Sequence, residues 1–204
     1  MLRFACAAVL LLTFSSATLA DLIVEARETG GDVVFTTSGS LNLTGWDEGI
    51  IAGPISASIW PGLGVANFGL PSGGVQYSAP FSVSPDNYGV GGNASPDSRS
   101  GDAFTFSFGA LGNEIVVDAG YVFGNPIQST MTFEDKTLET LGINPGDTVW
   151  SWELMPTSGS VRPVVAATSS ITLRAIAIPE PSAFALLGLI GIVAGGRSWW
   201  KRCR

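Results

Sequence analysis

The chain has 204 residues, of which 10 are basic, 17 acidic and none histidine, giving a formal net charge of −7. Without histidine there is no Ser-His-Asp or Cys-His nucleophile system and no His-containing zinc or iron site. The length allows one ordinary domain between two ends of different character.

The charge is unevenly placed. Between Asp21 and Pro181 the only basic residues are Arg27, Arg99, Lys136, Arg162 and Arg174, against all 17 acids, a net −12 (5 − 17). A body this acidic does not seek nucleic acid, whose phosphates need Lys and Arg to release counterions. Its natural small partners are divalent cations. Both cysteines, Cys6 and Cys203, lie in the ends. The body is therefore held by core packing, which roughly 150 residues can supply.

The N-terminus combines basic Arg3, the 11-residue apolar run Phe4–Phe14 and the small residues Ser15–Ala20 ahead of Asp21. That order is a secretory signal peptide, expected over residues 1–20, with cleavage between Ala20 and Asp21 and Ala17 as the second choice. The apolar run is shorter than the ~20 residues a membrane span needs.

Strand patterns follow. Leu22, Val24 and Ala26 alternate with Ile23, Glu25 and Arg27, Thr29-Gly-Gly-Asp32 makes a turn, and Val33, Phe35, Thr37, Gly39, Leu41 and Leu43 resume the alternation. This predicts a hairpin. From Gly45 to Asp102 the chain is rich in Gly, Pro, Ser and Asn, with weaker strand signals at Ser56–Trp60 and Gln76–Val83. Phe104, Phe106 and Phe108 share a face opposite Ala103, Thr105 and Ser107. Further strands are expected at Ile115–Asp118, Thr130–Phe133, Thr148–Leu154 and Ile171–Ile178. Leu138 and Leu141, with Gly142 after them, predict a one- to two-turn helix over Glu134–Gly142. A clean period of two with one polar face points to an all-β, antiparallel β-sandwich of about eight to ten strands over residues 21–178.

The last segment, 179–204, opens with Pro179-Glu180-Pro181, a stiff extended tripeptide that cannot join a helix. An apolar run from Ser182 to Gly196, reaching Trp200, then predicts a single C-terminal transmembrane helix of about 19 residues. Arg197, Trp199, Trp200, Lys201, Arg202 and Arg204 suit its headgroup and cytoplasmic flank.

Pro179, Glu180 and Pro181, followed by Ser182, an apolar segment and a basic end, resemble the PEP-CTERM sorting signal of exported bacterial proteins. The resemblance implies export through the Sec translocon and signal peptidase, then recognition by an exosortase that cuts near Pro-Glu-Pro. It further implies an inner-membrane anchored intermediate, delivery to the cell surface or extracellular matrix, and exopolysaccharide as a partner in biofilm. Glu28-Thr-Gly-Gly-Asp-Val-Val-Phe35, Ser38-Gly-Ser-Leu-Asn-Leu43 and Leu138–Trp152 are similar to a recurring β-rich PEP-CTERM ectodomain. That supports a β fold and implies no chemistry.

Candidate chemistry is sparse. The neighbouring acids Asp47-Glu48 and Glu134-Asp135 point to opposite faces of an extended chain and read as solvated charge rather than acid–base pairs. Trp46 and Trp60 are the sugar-binding candidates, weighed against core packing. Asp86, Asp97 and Asp102 are candidate calcium ligands in a polar loop that lacks any regular calcium-loop spacing. No cofactor is expected. The expected function is a non-enzymatic structural or adhesive surface protein, the alternative a carbohydrate-binding module or glycan-active enzyme on the same export route.

Overall fold

The computed structural model describes residues 21–69, 73–79, 83–153 and 168–177. Strands β1 (Asp21–Thr29) and β2 (Asp32–Gly39) form the expected hairpin. Its two-residue loop places Gly30 at φ +66° and Gly31 at φ +100°, the left-handed pair that a tight type I′ turn demands. Leu22, Val24 and Ala26 on β1, and Val33, Phe35 and Thr37 on β2, are buried as the alternation requires.

The remaining strands are β3 (Asp47–Ala52), β4 (Ser58–Trp60), β5 (Val65–Asn67), β6 (Gly74–Ser78), β7 (Ser98–Gly101), β8 (Phe104–Gly109), β9 (Gly112–Asp118), β10 (Ser129–Phe133), β11 (Gly146–Glu153) and β12 (Thr168–Ile176). They build two six-stranded sheets, ordered β11-β12-β1-β2-β10-β7 and β3-β6-β9-β8-β5-β4. The sheets pack through an aromatic core. Trp150 of β11 lies with its ring centroid 5.3 Å from Phe106 and 5.2 Å from Phe108 of β8. All three are fully buried. Each such side chain removes about 150–250 Å² from water, ~4–6 kcal/mol at about 25 cal/mol per Å² before entropy is counted.

The period-two reading holds for β1, β2, β10, β11 and β12, and the domain is all-β; on β8 Thr105 and Ser107 are buried along with the three phenylalanines, so the expected polar face is covered. Four expectations are corrected. The sandwich is not wholly antiparallel: β12 runs parallel to β1, from Asp21↔Ser170 to Arg27↔Ile176. Inward alternation is identical for both pairings, so the pattern could not separate them. The chain forms more strands than expected, because β3, β5 and β7 also arise in the Gly/Pro-rich stretch, the last two only three and four residues long. Glu134–Gly142 is a series of turns rather than a helix. Its hydrogen bonds are mixed in span: Leu141 N–H reaches Thr137 O, Gly142 N–H reaches Glu139 O, and Ile143 N–H reaches Leu138 O. The two leucines are buried in the core.

The fourth correction concerns the C-terminal transmembrane helix. Among the described residues the only helical element is the 3-10 turn Pro61–Leu63, and no helix is long and apolar enough to cross a membrane. The segment assigned to that span, with its flank at Arg197, Trp199, Trp200, Lys201, Arg202 and Arg204, lies outside the described residues, as do residues 1–20 and the Pro179–Pro181 tripeptide.

Gly91 shows why the middle stretch is glycine-rich. A Cβ there would stand 1.9 Å from Leu141 O. The 88–92 loop presses its backbone against the 141–143 turn, with Val90 and Gly91 N–H both donating to Gly142 O at 2.8 and 3.1 Å. The sequence Gly89-Val-Gly-Gly92 is thus a backbone-to-backbone seam and not a phosphate cradle.

Candidate functional site

The two tryptophans singled out for sugar binding part company. Trp46 is buried to 7% exposure and packs edge-on against Trp152 at 5.1 Å, so it belongs to the core. Trp60 is 39% exposed at the edge strand β4, on the outer face of the second sheet, with Ile59 turned inward beside it. Asp47 and Glu48 are exposed on β3, as expected of solvated charge.

The three aspartates proposed for calcium are not brought together. Asp97 accepts the Glu134 N–H at 2.8 Å and Asp102 accepts the Gln128 N–H at 2.8 Å, while Asp86 is exposed in its loop. Among the described residues no three or more His, Cys, Asp and Glu side chains are grouped to hold a metal ion. Two of these carboxylates instead pin loops to neighbouring strands. Asp21 of the expected cleavage pair is the first residue of β1, and its Oδ1 accepts the Ser170 hydroxyl at 2.8 Å. Ala20 lies outside the described residues.

Asp102 acquires a different set of neighbours. The chain crosses from the first sheet to the second between β7 and β8, and returns between β9 and β10. These crossings border an open cleft of about 470 Å³, lined among others by Asp102, Ala103, Asp118, Tyr121, Asn125 and Ile127. Asp118 closes β9 and accepts the Gly120 N–H at 3.0 Å through Oδ1. Tyr121 pins the return crossing: its hydroxyl accepts the Leu41 N–H at 2.9 Å and sits 2.9 Å from Asn125 O. Burial pushes the Tyr121 hydroxyl above its usual pKa, the Leu41 and Gly124 backbone groups pull it partly back, and the Asp102 charge raises it again. Tyr121 is therefore a neutral donor near neutral pH. Phe123, two positions on from Tyr121, is 37% exposed, with its ring 6.4 Å from Tyr121 and 5.4 Å from Tyr77. Val122 beside it is 61% exposed.

Sequence reasoning named Asp102 for another role and passed over Asp118, Tyr121 and Phe123. The one available signal was Tyr121-Val-Phe123 between Gly120 and Gly124, large side chains in a turn with no strand partner to cover them. A second groove, about 500 Å³, lies where the chain leaves β12, between Ala177, Glu28, Leu138 and Asn144.

Comparison with known proteins returns no matching family model, no matching curated protein and no matching solved structure.

Proposed function

We propose that this chain is an exported, non-enzymatic surface or matrix protein, whose acidic β-sandwich is delivered by a PEP-CTERM-type address at Pro179-Glu180-Pro181 and processed there by an exosortase. What supports the reading is the order of the sequence after the last strand: Pro179-Glu180-Pro181, an apolar run and a basic end. β12 is an inner strand paired to β1 up to Ile176, and Pro179 follows three positions later. Because β1 and β12 are parallel, Asp21 and Ile176 stand at opposite ends of the sheet. The cysteine-free body needs no oxidative step after export.

Intact-mass measurement of the protein from its host, with and without the exosortase, tests this. The expected mature form begins at Asp21 and ends near Pro179 to Pro181 when the enzyme is present, and retains Cys203-Arg204 when it is deleted. Intact Cys203-Arg204 as the dominant form in the unmodified host would sink the proposal.

A further inference from the structure

We infer that the groove where the chain leaves β12 is a docking surface for the enzyme that cuts the tail, and that it takes an apolar, basic segment of that enzyme. The inference rests on the sorting reading and adds that the folded body is recognised together with the tripeptide. The groove, about 500 Å³, is lined by apolar Val90, Leu138, Ile143 and Ala177 and by the carboxylates of Glu28 and Glu139.

The length of chain between groove and tripeptide decides what can lie there. Ala177 lines the groove, Pro179 follows two positions later and Pro181 four. A chain spans at most ~3.6 Å per residue, so the tripeptide begins within about 7 Å of Ala177 and ends within about 14 Å. A domain of ~100 residues already has a radius of gyration of about 13 Å. An enzyme closed around Pro179–Pro181 is therefore pressed against this end of the sandwich. The opposite end, where β1 begins at Asp21, is about 30 Å away along that strand.

The groove is preformed. Its two walls, the 88–92 loop and the 137–145 turns, are joined by Val90 and Gly91 N–H donating to Gly142 O and by Asn144 N–H donating to Tyr88 O at 3.0 Å. Glu28 Oε1 accepts the Leu138 N–H at 2.6 Å and ties the turns to β1. Leu138 and Ile143 are buried there, while Val90 is 86% exposed and free to be covered. A surface whose backbone is already fixed loses little ordering entropy when a partner binds. Charge sets the partner's sign. No Lys or Arg lines the groove, Glu180 adds a carboxylate within the same reach, and the body is strongly acidic. A basic segment is matched and an acidic one repelled.

The test is the rate of tail removal from the full-length chain in its host, followed by pulse labelling and the mass of the cut product. Val90→Asp places a charge on an exposed apolar side chain and Glu139→Lys reverses one. Each is expected to slow removal about tenfold, with strand circular dichroism and thermal melting unchanged. Val122→Asp, equally a charge on an exposed valine but at the end where Tyr121 bonds Leu41, is expected to be cut at the unmodified rate. A flexible insert of about ten Gly/Ser residues between Ala177 and Ile178 unlinks groove from tripeptide and removes the effective concentration that a short link supplies. It is expected to slow the cut to the Val90→Asp rate, and Val90→Asp added to it to have no further effect. Removal at the unmodified rate from both Val90→Asp and Glu139→Lys, or Val122→Asp slowed as much as Val90→Asp, would overturn the inference and leave the cut itself in place. No cut of the unmodified chain removes the sorting reading, and this inference with it.

Discussion

Trp150 is the residue on which the two sheets depend most, and replacing it with alanine measures that dependence. It is fully buried on β11, touches Phe106 and Phe108 of the facing sheet at about 5 Å between centroids, and meets Tyr88 edge-on at 6.2 Å. Its indole N–H donates to Pro85 O at 2.6 Å. Large-to-small replacement of a buried tryptophan costs ~3–5 kcal/mol, made up of lost transfer energy and the cavity left behind. The carbonyl of Pro85 loses its partner as well, adding about 1 kcal/mol where water does not reach it. Against a total stability of ~5–15 kcal/mol, the variant gives up a third or more. At ~2–4 °C per kcal/mol for a domain of this size, the melting temperature falls by about 8–24 °C. Urea unfolding followed by circular dichroism in the strand band is the assay, because removing a tryptophan changes the fluorescence signal itself. Trp150→Phe keeps most of the packing and loses the N–H, so it should cost roughly half as much. Trp60→Ala should stay within about 0.5 kcal/mol of the unmodified chain. A Trp150→Ala loss below about 1.5 kcal/mol would refute the account of Trp150 as the hinge of the inter-sheet core.

Three further outcomes follow from the same geometry. Gly91→Ala forces a methyl into the Leu141 carbonyl and should cost ~1–3 kcal/mol, whereas Gly92→Ala meets nothing within 4 Å and should be near neutral by the same urea titration; equal effects would contradict the backbone seam. Tyr88 is fully buried with its hydroxyl donating to Val65 O at 2.6 Å, and burial raises its pKa far above 10. An unfolded tyrosine ionises near 10 while the folded one keeps its proton, so the stabilisation is complete below about pH 10 and is lost as pH rises above it, by up to ~1.4 kcal/mol per pH unit from this group. Tyr88→Phe should cost ~1–2 kcal/mol at pH 7 and flatten that alkaline fall, and an unchanged alkaline slope in urea midpoints would count against the burial argument. Lastly, a chain ending at Glu153 lacks β12, the strand between β11 and β1. It should fail to fold, as judged by loss of the strand signal and of protease resistance.

What the sequence disclosed is what alternation can disclose. Phe104, Phe106 and Phe108 sit on one face because a strand has a period of two, and nothing distant is needed to see it. The hairpin of β1 and β2 was equally local, since Gly30-Gly31 fixes both turn and register. The parallel pairing of β1 with β12 was not legible, because strands about 150 positions apart show the same inward pattern whichever way they run. Leu138 and Leu141 were read as helical from their spacing, but a spacing of three also fits a loop that turns twice over a core, as the closing bond from Ile143 N–H to Leu138 O shows.

The candidate site followed a different logic, because closeness along the sequence does not show which side chains share a face. Sugar-binding candidates were sought where tryptophan stood near acid in the sequence, yet neighbours along a strand alternate faces, so Trp46 went into the core while Asp47 stayed in water. Convergence of side chains in a sandwich occurs instead where the chain changes sheets, since there the two layers end together and backbone N–H groups lack ladder partners. Asp102 and Asp118 are placed at those crossings for a structural reason: each takes up such an N–H, from Gln128 and from Gly120.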